Sequence, residues 1–297
     1  PPTTSAYNTI MKISKKTLSI ILFVLAGICV LTAVILLVKG RIEDRRMEEA
    51  LDELRPTQSA ETTQAPSTVE GEPTATASPE PSTEETPAST EEFERVANPY
   101  ADSFLANKDM AAWLQIPGTN IDLAVMWTPE DETYYLYRAF DGSENKNGCL
   151  LLDDESCVDP LTTNLIIHGH NMKSGAMFGN LTDYENQDFY KEHKNIILYT
   201  EECQRNYEII AVFRSQVYRK TDQVFKFYKF FQADTQEEFD DFYNNIKQLS
   251  QYDTGVTAEF GDHFLTLSTC VYHVEQGRFV VVAKEVEPGD HYLPIQE

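Results

Sequence analysis

Thr17 to Val38 is a run of 22 residues without a charge, closed by Lys16 before it and Lys39 after it. As an α-helix it would be about 33 Å long, enough to cross the hydrocarbon core of a bilayer. A secretory signal peptide would carry a shorter apolar stretch, about 7–15 residues, followed by a small-residue cleavage site. The run therefore reads as a retained membrane anchor. The basic residues around it do not settle its orientation. Lys12, Lys15 and Lys16 precede it, and Lys39, Arg41, Arg45 and Arg46 follow it. Counted alone, they would keep the C-terminal side in the cytoplasm. The next segment argues the other way. Residues 56–92 are dominated by Thr, Ser, Pro, Glu and Ala, with Val69 the only branched aliphatic residue and no Lys or Arg. Such a stretch cannot bury enough apolar surface to fold, and its composition is that of Ser/Thr/Pro stalks outside cells. Fully extended it could reach on the order of 110 Å. The stalk outweighs the charge count. The expected layout is a cytoplasmic N-terminus over 1–16, a transmembrane helix over 17–38, a juxtamembrane segment and stalk over 39–92, and an extracellular folded domain over 93–297. Met11 reads as the initiator, with residues 1–10 an extension.

The formal net charge of the chain is −24. No basic stripe is available to neutralise phosphates, which argues against nucleic acid as a partner. Five cysteines are few for a disulfide scaffold. Their spacings form no zinc pattern, and no EF-hand loop is present, so neither a metal nor a cofactor is expected. A disulfide among Cys149, Cys157 and Cys203 stays open at this level.

From Phe93 onward the composition is globular. Short runs rich in β-branched and aromatic residues read as strands: 113–116, 121–127, 149–152, 165–168, 195–199, 207–213, 264–270 and 279–286. So many short strands suggest a mainly β domain, a barrel or a sandwich. One helix is expected over 99–112. A second is expected over 235–249, where Thr235 and Glu238 fit a capping box. There Phe239, Phe242, Ile246 and Leu249 recur as one apolar stripe. Phe225, Phe227, Phe230 and Phe231 precede that helix and read as core.

The chemistry is concentrated at three places. In Thr266-Leu267-Ser268-Thr269-Cys270, period-two alternation puts Leu265 and Leu267 on one face and Thr266, Ser268 and Cys270 on the other. The apolar pair should face the core, leaving the thiol over a groove lined by small hydroxyls. Val271 to Gly277 reads as a loop and Arg278 as the start of the next strand. If the two strands pair as a hairpin, Cys270 and Arg278 meet across its mouth with Cβ atoms about 5 Å apart. A guanidinium there favours the thiolate and can hold an oxyanion through a planar fork that lysine lacks. His170 ends the apolar run Ile166-Ile167-His168-Gly169, at a strand-to-loop junction where catalytic groups are commonly displayed. It could protonate a leaving amine and deprotonate an incoming one. His168 is its rival. His193, His263, His273 and His291 have no comparable setting. Taken singly, each of these residues is more often structural. Their joint occurrence favours acyl transfer through a thioester.

The patterns Gly169-His170-Asn171-Met172 with Met177-Phe178-Gly179, Thr266 to Cys270, Gly277-Arg278-Phe279-Val280-Val281-Val282-Ala283, and Trp113 to Ile121 resemble those of class B sortases. The resemblance covers about residues 95–287. It implies an eight-stranded β-barrel with an N-terminal helix and an added helix before the penultimate strand. It implies a cysteine transpeptidase that cleaves a C-terminal sorting signal of secreted proteins after its threonine and passes the acyl group to an amine. The donors would be secreted proteins bearing that signal. The acceptor would be a peptidoglycan precursor or a pilin amine. Position by position, Cys270 is the nucleophile, His170 the catalytic histidine and Arg278 the arginine, with Ser268 and Thr266 as groove residues toward substrate. The stalk is longer than the family leads one to expect. Alternatives are a pilin-polymerising enzyme, a cysteine hydrolase in which water resolves the thioester, and a tethered wall-binding domain without catalysis.

Overall fold

The structure, a computed structural model, describes residues 15–56 and 95–296. The expected initiator Met11 and nearly all of the expected stalk lie outside the described residues. The chain divides into two compact units, Pro1–Ala50 and Leu51–Glu297.

The first unit holds most of helix α1 (Lys15–Leu54), which continues well past Val38 and whose last residues belong to the second unit. The extension is rich in Glu, Arg, Leu, Met and Ala, all strong helix formers, so the helix has no reason to stop where the apolar run stops. Large apolar side chains between Ile21 and Val38 are exposed, Phe23 at 77% and Leu37 at 70%. The helix is long and apolar enough to cross a membrane, and none of its apolar window is buried among the described residues.

The second unit is a β-barrel. Its elements are β1 (Arg95–Val96), α2 (Ala101–Ala106), β2 (Met110–Gln115), β3 (Asp122–Met126), β4 (Leu150–Leu152), β5 (Asn164–Gly169), α3 (Gln187–Glu192), β6 (Asn195–Tyr199), β7 (Cys203–Gln216), α4 (Gln236–Leu249), β8 (Phe264–Cys270) and β9 (Gly277–Tyr292). The ladder runs β9-β7-β6-β2-β3-β4-β5-β8, and β8 pairs with β9 to close the ring at eight strands. The two-residue β1 adds to the far end of β9, with Arg95 opposite His291. Within the ring, β3–β4 and β5–β8 are parallel and the other pairs antiparallel.

The helix expected over 99–112 is shorter. It ends at Ala106, and Asn107 is extended at φ −147°. The Asn107 side chain accepts from the Asp109 backbone N–H at 2.9 Å, turning the chain. Met110, Ala112, Trp113 and Leu114 are buried as strand, paired with β3 and β6. An apolar run of this kind satisfies both periods, and the sheet wins because it buries both faces.

Helix α4 follows its sequence signals. Thr235 accepts from the Glu238 N–H, and the Glu238 carboxylate accepts from the Thr235 N–H in return. Phe239, Phe242 and Ile246 are buried in a cluster with Phe213, Phe227, Phe264, Val280 and Val282, and Phe225 and Phe230 pack against it. Leu249, the last residue of the expected stripe, is 43% exposed. An eight-stranded barrel has room inside only for side chains, so α4 lies outside it. The face carrying Phe264, Val280 and Val282 is therefore the outer one. Leu265, Leu267, Phe279 and Val281, all fully buried, fill the interior.

Candidate functional site

Cys270 is the last residue of β8, and Arg278 is its Cα partner on β9. The hairpin mouth is held shut by Val271 N–H donating to Gly277 O at 3.0 Å. Both side chains belong to the outer face, the same face as Phe264, but beyond the part that α4 covers. Cys270 and Arg278 are half-buried. Arg278 Nη1 donates to the carbonyls of Gln276 at 3.3 Å and Gly277 at 3.1 Å, so the guanidinium is folded over its own turn. Its Nε and Nη2 have no partner among the described residues.

His170 reaches the same rim from the other side of β8. In the parallel β5–β8 ladder, His168 is opposite Ser268 and Gly169 opposite Thr269, so His170 leaves the sheet level with Cys270. Two bonds lock that register: Thr269 Oγ1 donates to Gly169 O at 2.8 Å, and Asn171 Nδ2 donates to Cys270 O at 2.8 Å. Gly169 is needed for packing. A Cβ there would stand 2.6 Å from side-chain carbons of Leu150 and Phe178. The imidazole Nε2 lies 2.9 Å from Leu136 O. A carbonyl only accepts, so Nε2 carries a proton and Nδ1 is the nitrogen left for proton transfer. The Tyr137 ring stacks on the imidazole at 5.3 Å and 28°.

The rest of the expected groove face is closed. Thr266 is fully buried, and its hydroxyl donates to Asn164 Oδ1 at 2.9 Å. That hydroxyl ties β8 to β5 and does not line a groove. Ser268 is only 2% exposed, and its Oγ has no hydrogen-bond partner among the described residues. It sits between the buried end of the face and Cys270. The rival His168 is engaged elsewhere, with Nε2 3.0 Å from Asp153 Oδ2. Burial alone would raise the Asp153 carboxyl, but the hydrogen bond and charge of His168 prevail and hold it below the ordinary carboxylate range.

Two of the other cysteines are buried in the barrel unit. All five cysteines are unbridged, which answers the question left open for Cys149, Cys157 and Cys203. Cys149 is buried, and burial pushes its thiol up to about 12, so it stays protonated and unreactive. Cys203 is buried beside Thr200 Oγ1. No group of three His, Cys, Asp or Glu side chains among the described residues is placed to hold a metal ion.

A thiol, an imidazole and a guanidinium thus issue from three adjacent strand ends at one rim of the barrel. The Sortase domain family model matches residues 114–286, more than half of the chain. The chain belongs to the sortase family. Its relatives place it in class B. A sortase B of Listeria monocytogenes is 34% identical over 182 residues, 61% of this chain and 71% of that protein. The crystal structure of Clostridium perfringens sortase B superposes with a TM-score of 0.56 at 26% identity, covering 63% of this chain and 98% of that one. A substrate complex of Staphylococcus aureus sortase B gives a TM-score of 0.58 at 25% identity, covering 65% and 87%. This sortase is accordingly a cysteine transpeptidase of a family that acts on sorting-signal substrates and amine nucleophiles.

Sequence reasoning had not singled out Asn171, Leu136 or Tyr137. Asn171 stood inside the quoted Gly-His-Asn-Met motif without a role. The run Tyr134-Tyr135-Leu136-Tyr137 is conspicuous for its aromatics, but nothing local says that it meets His170.

Proposed function

We propose that this sortase is held at the outer face of a Gram-positive membrane by α1 and joins secreted proteins to a cell-wall amine through a thioester on Cys270. The Cys270 thiolate attacks the carbonyl carbon of the scissile peptide bond in the sorting signal. The resulting oxyanion accepts from the free Nε and Nη2 hydrogens of Arg278, donors that a planar guanidinium can offer together. His170 delivers a proton from Nδ1 to the departing nitrogen, the C–N bond breaks, and the acyl group remains on sulfur. An incoming amine then loses a proton to Nδ1 as it attacks the thioester, and the thiolate leaves. Ser268, next to Cys270 on the same face of β8, is proposed as a substrate contact only once bound peptide opens the cover over its hydroxyl, which is buried in the free enzyme. The observation that supports this reading most is the Cys270–Arg278 pairing with His170 level on the parallel neighbour.

The test is a fluorogenic library of sorting-signal peptides presented to the full chain, with and without an added amine. Cys270→Ala should abolish cleavage. His170→Ala and Arg278→Ala should each cost roughly 10²-fold or more, the scale of losing a proton carrier or an oxyanion donor. Turnover by Cys270→Ala would overturn the mechanism. A product mixture indifferent to the amine would make the enzyme a hydrolase.

A further inference from the structure

We propose that Tyr137 is a positioning residue for His170: its ring and the Leu136 carbonyl form a clamp that fixes the imidazole plane and aims Nδ1 at the rim. The proposal rests on the reading of His170 as the proton carrier. His170 lies one residue beyond the end of β5, so no ladder hydrogen bond of that strand fixes its side chain. Two contacts do, and both come from one short 3₁₀ turn, Tyr134–Tyr137. Leu136 O accepts from Nε2 at 2.9 Å, and the Tyr137 ring lies nearly parallel to the imidazole. The hydrogen bond alone leaves the ring free to rotate about the N–H···O axis. A flat neighbour on one face removes that freedom.

The turn itself is anchored. Tyr135 is buried, and its hydroxyl donates to Asp109 Oδ2 at 2.9 Å while accepting from Asn107 Nδ2 at 2.9 Å. Arg138 lies over the Tyr134 ring at 4.2 Å and donates to Tyr134 O at 2.6 Å. Gly148, in the left-handed region at φ 61°, runs against the Leu136 carbonyl so closely that any Cβ there would collide with it. Tyr137 itself is 61% exposed and lies outside the buried core of the described residues. A large aromatic ring left in water and applied to one imidazole face is hard to account for as packing. It is accounted for as orientation, since proton transfer is sensitive to small errors in aim.

The experiment uses the full chain in detergent and the fluorogenic peptide on which the wild type turns over fastest. Tyr137→Ala and Tyr137→Leu should lower kcat by about 2- to 12-fold, the rate equivalent of one lost aromatic pair, with KM unchanged. Tyr137→Phe should restore most of kcat, because it keeps the flat ring and loses only the hydroxyl. The melting temperature should stay at the wild-type value in all three. The proposal is overturned if KM rises while kcat holds, which would make Tyr137 a wall for substrate. It is equally overturned if Leu serves as well as Phe, or if Ala is silent. His170→Ala run alongside separates the two readings. A dead His170→Ala with a wild-type Tyr137→Ala sinks the clamp alone, whereas an active His170→Ala sinks the proton-carrier role on which the clamp depends.

Discussion

Thr266 and Ser268 are both small hydroxyl residues on the outer face of β8, yet their surroundings predict opposite responses to losing the hydroxyl. Thr266 gives its hydrogen to Asn164 Oδ1 in a fully buried place. Thr266→Val keeps the shape and leaves that oxygen without its donor, at a cost of about 1–3 kcal/mol. Thermal unfolding should therefore come at a lower temperature, with KM for the peptide unmoved. The Ser268 hydroxyl has no partner to lose. Ser268→Ala should leave the unfolding temperature unchanged or higher, and should raise KM if bound peptide uncovers the buried hydroxyl. Equal KM values for wild type and Ser268→Ala would remove it from the binding surface. The difference between the two positions was not legible in the sequence. Alternation puts 266, 268 and 270 on one face, but it cannot say that 266 and 268 are buried there while 270 is half-buried. The meeting of Cys270, Arg278 and His170 at one rim was legible, because each terminates or opens an apolar run whose parity is fixed by the core.

At the scale of elements, the same contrast separates α4 from α2. The capping box and the 239, 242, 246 spacing announce α4 locally, and the structure returns both. Thr235→Ala should cost about 1 kcal/mol of stability through the lost cap. Phe242→Ala should cost about 3–5 kcal/mol, since its ring stacks on Phe230 at 4.0 Å in a closed cluster. Both are measurable by denaturant titration, and the larger effect should be at Phe242. The helix expected over 99–112 failed because its second half is a buried strand, and a strand buried on both faces has no alternation to reveal it. Strand β1 was invisible for a related reason: two residues carry no period, and its pairing partner lies near the end of the chain. The extension of α1 beyond Val38 was missed because hydropathy marks where a bilayer ends and says nothing of where helix propensity ends.

For the molecule as a whole, the sequence sets two demands in conflict, a basic flank that favours a cytoplasmic C-terminal side and a Ser/Thr/Pro/Glu-rich composition over 56–92 that resembles stalks outside cells. Protease added to intact cells decides between them. The proposed topology predicts loss of the barrel unit from the membrane fraction and survival of an N-terminal fragment. Full protection of the barrel would place it inside. The barrel also imposes an order of events on the enzyme's own birth. The bond between Thr269 and Gly169 joins residues 100 apart in sequence, and it belongs to a parallel pair that no hairpin can nucleate. Such a pairing carries a large loop-closure cost and forms slowly. The hairpin of β8 and β9 can thus form before β5 reaches β8, so Cys270 and Arg278 face each other before His170 arrives level with them.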